Sequence, residues 1–149
     1  MFSGHKTLTF DSKFRVSIPS IFRESLMTEF QNKVVLTKHL NGPEINIWPN
    51  ATYEKFVEKI CGLPTDEDLE EFKHVFLAWA FHEEIDGNGR IFVAQPLREY
   101  ALLGKEVVIS GAGQYLLLAS KDHWLEKDQK YSQDPRRLRS ILTKNAIPY

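Results

Sequence analysis

Asp11-Ser-Lys-Phe-Arg-Val-Ser-Ile-Pro-Ser-Ile-Phe-Arg-Glu24 returns 75 residues later as Asp86-Gly-Asn-Gly-Arg-Ile-Phe-Val-Ala-Gln-Pro-Leu-Arg-Glu99. The Asp, the Arg four residues on and the closing Arg-Glu pair recur in phase, and Val16/Ile91 and Ile18/Val93 keep one apolar alternation. A period of two behind an Asp-led turn predicts a strand entered through an Asp-x-x-x-Arg loop. Each copy is followed by a second strand pair: Lys33 to Lys38 and Ile45 to Trp48 in the first, Glu106 to Ser110 and Tyr115 to Ala119 in the second. Each repeat therefore reads as strand, turn, strand, short helical turn, strand, hairpin turn, strand. A four-stranded unit of this size leaves much of its apolar face in water, so the two copies are expected to pair and close one barrel.

Outward from the repeats, the spacing turns helical. Asn50 as N-cap followed by Tyr53, Phe56, Val57 and Ile60 predicts an amphipathic helix that Gly62-Leu63-Pro64 stops. Thr65-Asp-Glu-Asp68 resembles a capping box, and Leu69, Phe72, Phe76 and Trp79 carry a second apolar face. A third helix is expected from Ser120, with Trp124 and Leu125 facing inward, and a fourth from the Asp134-Pro135 cap. The expected architecture is α+β. Two repeat units, residues 5–51 and 80–122, are joined by a helical hairpin, 52–79, and followed by a helical tail, 123–149.

Composition sets the outer bounds. The chain has 149 residues, of which 42% are hydrophobic and 26% charged, enough for one packed core and too apolar for disorder. Its longest apolar runs fall far short of the roughly 20 residues of a bilayer span. Met1-Phe2-Ser3-Gly4 begins no signal peptide, and the single Cys61 builds no disulfide framework. A cytoplasmic protein with no membrane association is expected. The net charge of −1 hides a segregation: residues 65–86 carry −7, whereas residues 1–64 carry +2 and residues 121–149 carry +3. An acidic face and basic faces should therefore be separate, which leaves nucleic-acid binding open on the basic ones.

Met1-Phe-Ser-Gly4, Leu8-Thr-Phe-Asp-Ser-Lys-Phe-Arg-Val-Ser-Ile-Pro19, Asp86-Gly-Asn-Gly-Arg90 and the 75-residue offset together resemble the MraZ family of bacterial transcriptional regulators. The resemblance implies two AbrB/SpoVT-like swapped-hairpin units forming a double-psi-like β-barrel. It also implies a ring-shaped homo-oligomer, a cytoplasmic and nucleoid-associated location, and sequence-specific binding of double-stranded DNA at repeated boxes near division and cell-wall genes. No cofactor, metal, small-molecule substrate or catalytic activity is implied. Carried onto this chain, the DNA-contacting positions are Lys13, Arg15, Asn88 and Arg90, with Asp11 and Asp86 holding the turns. The arginine fork can read guanine or clamp a phosphate, whereas the carboxylates suit backbone N–H groups or the orientation of the arginines.

The sequence departs from the family at Phe14, where glycine is usual. Glycine there suggests positive φ, which Phe would strain, so a loop rebuilt around the ring is expected; the alternatives are a ring exposed on the binding face, where it could pack on a sugar or a base, and simple packing at the barrel edge. Leu118-Ala119-Ser120 likewise replaces a Trp-containing strand end.

Plainer readings stand beside these. Arg15 and Arg90 could be ion-pair partners of Asp11 and Asp86, and Arg23 and Arg98 could brace the barrel or be solvated. Asp86-Gly-Asn-Gly opens like a calcium loop but has Leu97 where loop position 12 needs Glu. His74 and His82, read onto the second helix, lack a third ligand, and Ser110-Gly-Ala-Gly113 is a hairpin turn followed by a strand. Cys61 has no base beside it, and the basic tail of Arg136, Arg137 and Arg139 reads as a solvated helix face or an auxiliary phosphate contact. The second functional class is an oligomeric assembly or protein-interaction module without direct DNA binding.

Overall fold

A computed structural model describes residues 1–28 and 31–149. The first repeat contributes β1 (His5–Thr9), β2 (Arg15–Ser17), α1 (Ser20–Thr28), β3 (Lys33–Lys38) and β4 (Ile45–Pro49). After α2 (Asn50–Cys61) and α3 (Glu67–Leu77), the second repeat contributes β5 (Phe81–Glu84), β6 (Arg90–Phe92), α4 (Gln95–Tyr100), β7 (Glu106–Gly111) and β8 (Leu116–Ser120). The helices α5 (Lys121–Tyr131) and α6 (Pro135–Lys144) follow. The class is α+β, as the alternating and helical periods predict.

Pairing runs between the repeats. β1 lies antiparallel to β7, β5 to β3 and β4 to β8, giving a six-stranded sheet in the order β1-β7-β8-β4-β3-β5. The first strand of each copy thus pairs with the third strand of the other. β2 and β6 form a separate two-stranded ribbon in which Val16 faces Ile91, residues at equivalent places in the two copies. Only a local two-fold relation brings equivalent residues opposite one another.

The hydrogen-bonded sheet does not close into the expected barrel. β1 and β5 remain its edges, and β2 and β6, three residues each, pair only with one another. The tight turns at Asp11 and Asp86 fold these short strands away from β1 and β5, so no ladder joins the ribbon to the sheet among the described residues.

Alternation along the strands explains the two cores. Val34, Leu36, Ile45 and Ile47 point to the ribbon side, where they meet Val16, Ile18, Ile91, Val93 and Leu118 in the main core. Val35 and Trp48 point to the other side, where Tyr53 of α2 and Phe76 of α3 cover them. That second core is aromatic: Trp48 lies 5.2 Å from Phe56, and Phe76 lies 5.2 Å from Phe56 and 5.3 Å from Phe72 between ring centroids. Leu118 and Ala119, near the end of β8, are buried.

Helix starts follow the expected chemistry with two shifts. Ser120 and Asp134 cap α5 and α6, accepting from the backbone N–H of His123 and Arg137. The α2 helix begins after Pro49, and the Asn50 side chain donates to Glu54 instead of capping. Because α3 starts at Glu67, Asp66 takes the cap and accepts from Leu69 N–H at 2.8 Å, displacing the Thr65 box. Leu125 faces solvent, while Trp124 stacks on His5 at 4.4 Å. His82 lies on β5 rather than the second helix.

Candidate nucleic-acid interface

The two Asp-led turns are built alike. Asp11 Oδ1 accepts from the backbone N–H of Lys13 and of Arg15, both at 2.9 Å, while Asp11 N–H donates to the Arg15 carbonyl. Asp86 Oδ1 accepts from Asn88 and Arg90 at the same 2.9 Å, and its N–H donates to the Arg90 carbonyl. A short acceptor side chain reaching two and four residues ahead fixes the loop without a helix or sheet. Across the ribbon, Ile18 N–H donates to the Gly89 carbonyl and Val93 N–H to the Phe14 carbonyl. Each turn is thus tied to the strand end of the other repeat.

This geometry sets the four sequence-predicted cationic and amide positions on one outer face. Val16 and Ile91 turn into the core, so Arg15, Ser17, Arg90 and Phe92 turn out, with Lys13 and Asn88 at the loop tips. Behind the exposed edge the arginines cross over. Arg15 Nε lies 2.9 Å from Asp11 Oδ2 and its Nη1 3.7 Å from Asp86 Oδ2. Arg90 Nη1 lies 3.3 Å from Asp11 Oδ2 and its Nε 3.6 Å from Asp86 Oδ2. The ion-pair reading of these residues is correct as geometry, and the four charges cancel. Both carboxyls are held below the usual carboxylate range, foremost by the Arg15 N–H at Asp11 and the Arg90 N–H at Asp86, with desolvation opposing.

A five-donor guanidinium is not exhausted by such pairing, and partly exposed ion pairs are weak enough to be shared with a second anion. The Asp groups therefore aim the arginines, and Lys13 adds an unshielded charge at the rim.

Arg23 and Arg98 brace the far ends of the ribbon strands. Arg23 Nη2 donates to the Ile18 carbonyl at 2.9 Å, and Arg98 Nη1 donates to the Val93 carbonyl. Their recurrence in the repeat carried this bracing role. Phe14 corrects the sequence expectation. Its φ is +57°, matching Gly89 at +76°, so the loop keeps the left-handed backbone instead of being rebuilt around the ring. The ring, 48% exposed, stacks on Arg98 with the guanidinium carbon 3.7 Å from its centroid.

A family model described as MraZ protein, an antitoxin-like family, matches this chain twice, over residues 1–74 and 76–140. The chain belongs to the MraZ family. Similar proteins include the transcriptional regulator MraZ of Cupriavidus pinatubonensis, 37% identical over 130 residues that cover 87% of this chain and 89% of that protein. The transcriptional regulator MraZ of Burkholderia ambifaria is 36% identical over 129 residues, covering 87% and 89%. The protein of that name from an Acidovorax species is 35% identical over 128 residues, covering 86% and 88%. The two MraZ matches begin 75 residues apart, the offset of the Asp-x-x-x-Arg loops.

No cluster of three or more His, Cys, Asp or Glu side chains able to hold a metal occurs among the described residues. No helix among them is long and apolar enough to cross a membrane. Cys61 is exposed at the end of α2, and Ser110 to Gly113 lies at the β7–β8 hairpin.

Proposed function

We propose that this chain is a sequence-specific DNA-binding transcriptional regulator that contacts double-stranded DNA through Lys13, Arg15, Asn88 and Arg90. The observation that carries the reading is the β2–β6 ribbon, which sets both Asp-led turns side by side on one exposed face. Arginines pre-aimed by carboxylates lose less freedom on binding, and a two-fold face matches the two-fold local symmetry of duplex DNA. The interlaced strands support the AbrB/SpoVT-like swapped hairpin as the family architecture, with 5–51 and 80–122 as its units, 52–79 as their connector and 123–149 as a tail.

We further propose a cytoplasmic, nucleoid-associated ring of identical subunits acting without enzymatic activity or cofactor on repeated DNA boxes near division and cell-wall genes. A ring would multiply contacts that are individually weak. The second reading, an assembly module without DNA contact, draws on α6, whose Leu138 and Ile141 are exposed beside four cationic side chains.

The salt dependence of duplex binding tests both. Neutralising phosphates gives a steep negative slope of log affinity against log salt. Arg15→Ala and Arg90→Ala should each weaken binding and flatten that slope while the proteins stay folded. Parent-like binding by both variants would move the DNA site elsewhere, and no binding by the parent to any selected duplex would favour the assembly module.

A further inference from the structure

The two turns are equivalent in backbone but not in what stands on it. At the second turn a Cβ on Gly89 would lie 2.5 Å from Cζ of Arg23, so the guanidinium closes over the glycine and would have to shift for a side chain to stand there. At the first turn Arg98 stands back and Phe14 fills that place, its ring stacked on the guanidinium and half exposed. Beside the ring opens a recess of about 510 Å³ lined by Phe10, Leu103, Asp11, Arg98 and Lys105. Bulky residues rarely adopt a left-handed backbone, and such strained conformations cluster at functional sites.

We infer that Phe14 is a specificity-determining contact that makes the two halves of the DNA face unequal and gives the bound duplex a fixed direction. The inference rests on the DNA-binding reading of the ribbon. Phe14 lies between Lys13 and Arg15 in the chain. With those two cations drawn to phosphates, an apolar ring between them meets the sugar and base edges that lie between phosphates. Thymine methyls and deoxyribose faces suit an aromatic ring, and the cation behind it adds attraction for the backbone. The Gly89 half has no side chain to make that contact, so it reads through Asn88 and Arg90 alone.

The test uses the full chain and a duplex enriched by the parent from a random pool. Phe14→Gly should bind that duplex about tenfold more weakly, near the low end of what one mismatched base pair costs a specific complex. Reselection with this variant should lose base preference in one half of the site only. Phe14→Leu, which keeps apolar bulk without the flat ring, should fall between the two. Thermal melts confirm that each variant is folded, and glycine suits the backbone here. Parent-like affinity and an unchanged selected sequence with Phe14→Gly, while Arg15→Ala and Arg90→Ala lose binding, would overturn this inference alone. Parent-like binding by the arginine variants, or no sequence enriched by the parent, would overturn it together with the reading of the ribbon.

Discussion

At φ +57°, Phe14 holds a conformation that costs an L-residue about 1–2 kcal/mol, while the Arg98 guanidinium against its ring returns about 0.5–1 kcal/mol. Comparing two substitutions separates these terms. Alanine keeps the strain and loses the ring; glycine loses both. Phe14→Gly should therefore be more stable than Phe14→Ala by about 1–2 kcal/mol in urea unfolding, and a more stable alanine variant would show the loop to be relaxed. Asp11 and Asp86 give a second prediction. Their folded-state pKa values lie below the ordinary carboxylate range, chiefly through the backbone N–H groups that donate to them. A depressed carboxyl stabilises fully above its unfolded pKa, about 3.9, and loses that contribution as pH falls through the folded value. Stability of the parent should fall at acid pH below about 4, whereas the Asp11→Asn, Asp86→Asn double variant should be weaker at neutral pH with a flatter acid limb. Equal pH profiles would show that the turns are held by something else.

Among the elements, the strands and helices were legible because each carries its own period: β3, β7 and the α2 and α3 faces fall where alternation and apolar stripes place them. The exchange of β1 and β5 between repeats was expected only through the family resemblance, since β3 and β7 are similarly apolar partners and no periodicity in either edge strand selects between them. The open sheet was missed for a related reason: the sequence shows strand length, but not that three-residue strands would spend their pairing on each other. Of the candidate site, the recurring Asp and Arg were readable from their phase. The carboxylate crossover between turns was not, because it joins residues 71 and 79 apart whose proximity only the ribbon creates. Glu44 shows the same limit at the α5 boundary. It is 2% exposed and holds Lys127 Nζ at 2.6 Å, with His123 Nε2 at 3.3 Å, so a loop of the first repeat anchors the helix that follows the second. Breaking one side of a buried pair is costly, although partial exposure of Lys127 moderates it. Lys127→Ala should lose about 1–3 kcal/mol in chemical unfolding. Pairing Lys127→Met with Glu44→Gln should recover part of the loss, and an additive double variant would rule out direct coupling between them.

For the whole molecule, charge and apolar exposure are divided between surfaces. Asp66, Glu67, Asp68, Glu70 and Glu71 crowd the start of α3 on the sheet face opposite the ribbon core, so the ribbon is spared their repulsion of phosphates. The α6 helix carries Arg136, Arg137, Arg139 and Lys144 with no acidic residue, and its Leu138 and Ile141 remain 42% and 46% exposed. An apolar stripe of that kind on a basic helix calls for a partner surface, and among the described residues the acidic start of α3 is its electrostatic complement. A stripe on one element and its complement on another make a head-to-tail contact between copies, which closes into a ring when the rotation allows. Light scattering at moderate salt should therefore report a homo-oligomer larger than a dimer. Leu138→Glu with Ile141→Glu should reduce it to smaller species without lowering the thermal stability of the subunit core, because neither residue is buried within it. A parent that stays monomeric across the micromolar range would remove the ring. A variant that assembles as the parent does would place the subunit contact away from α6.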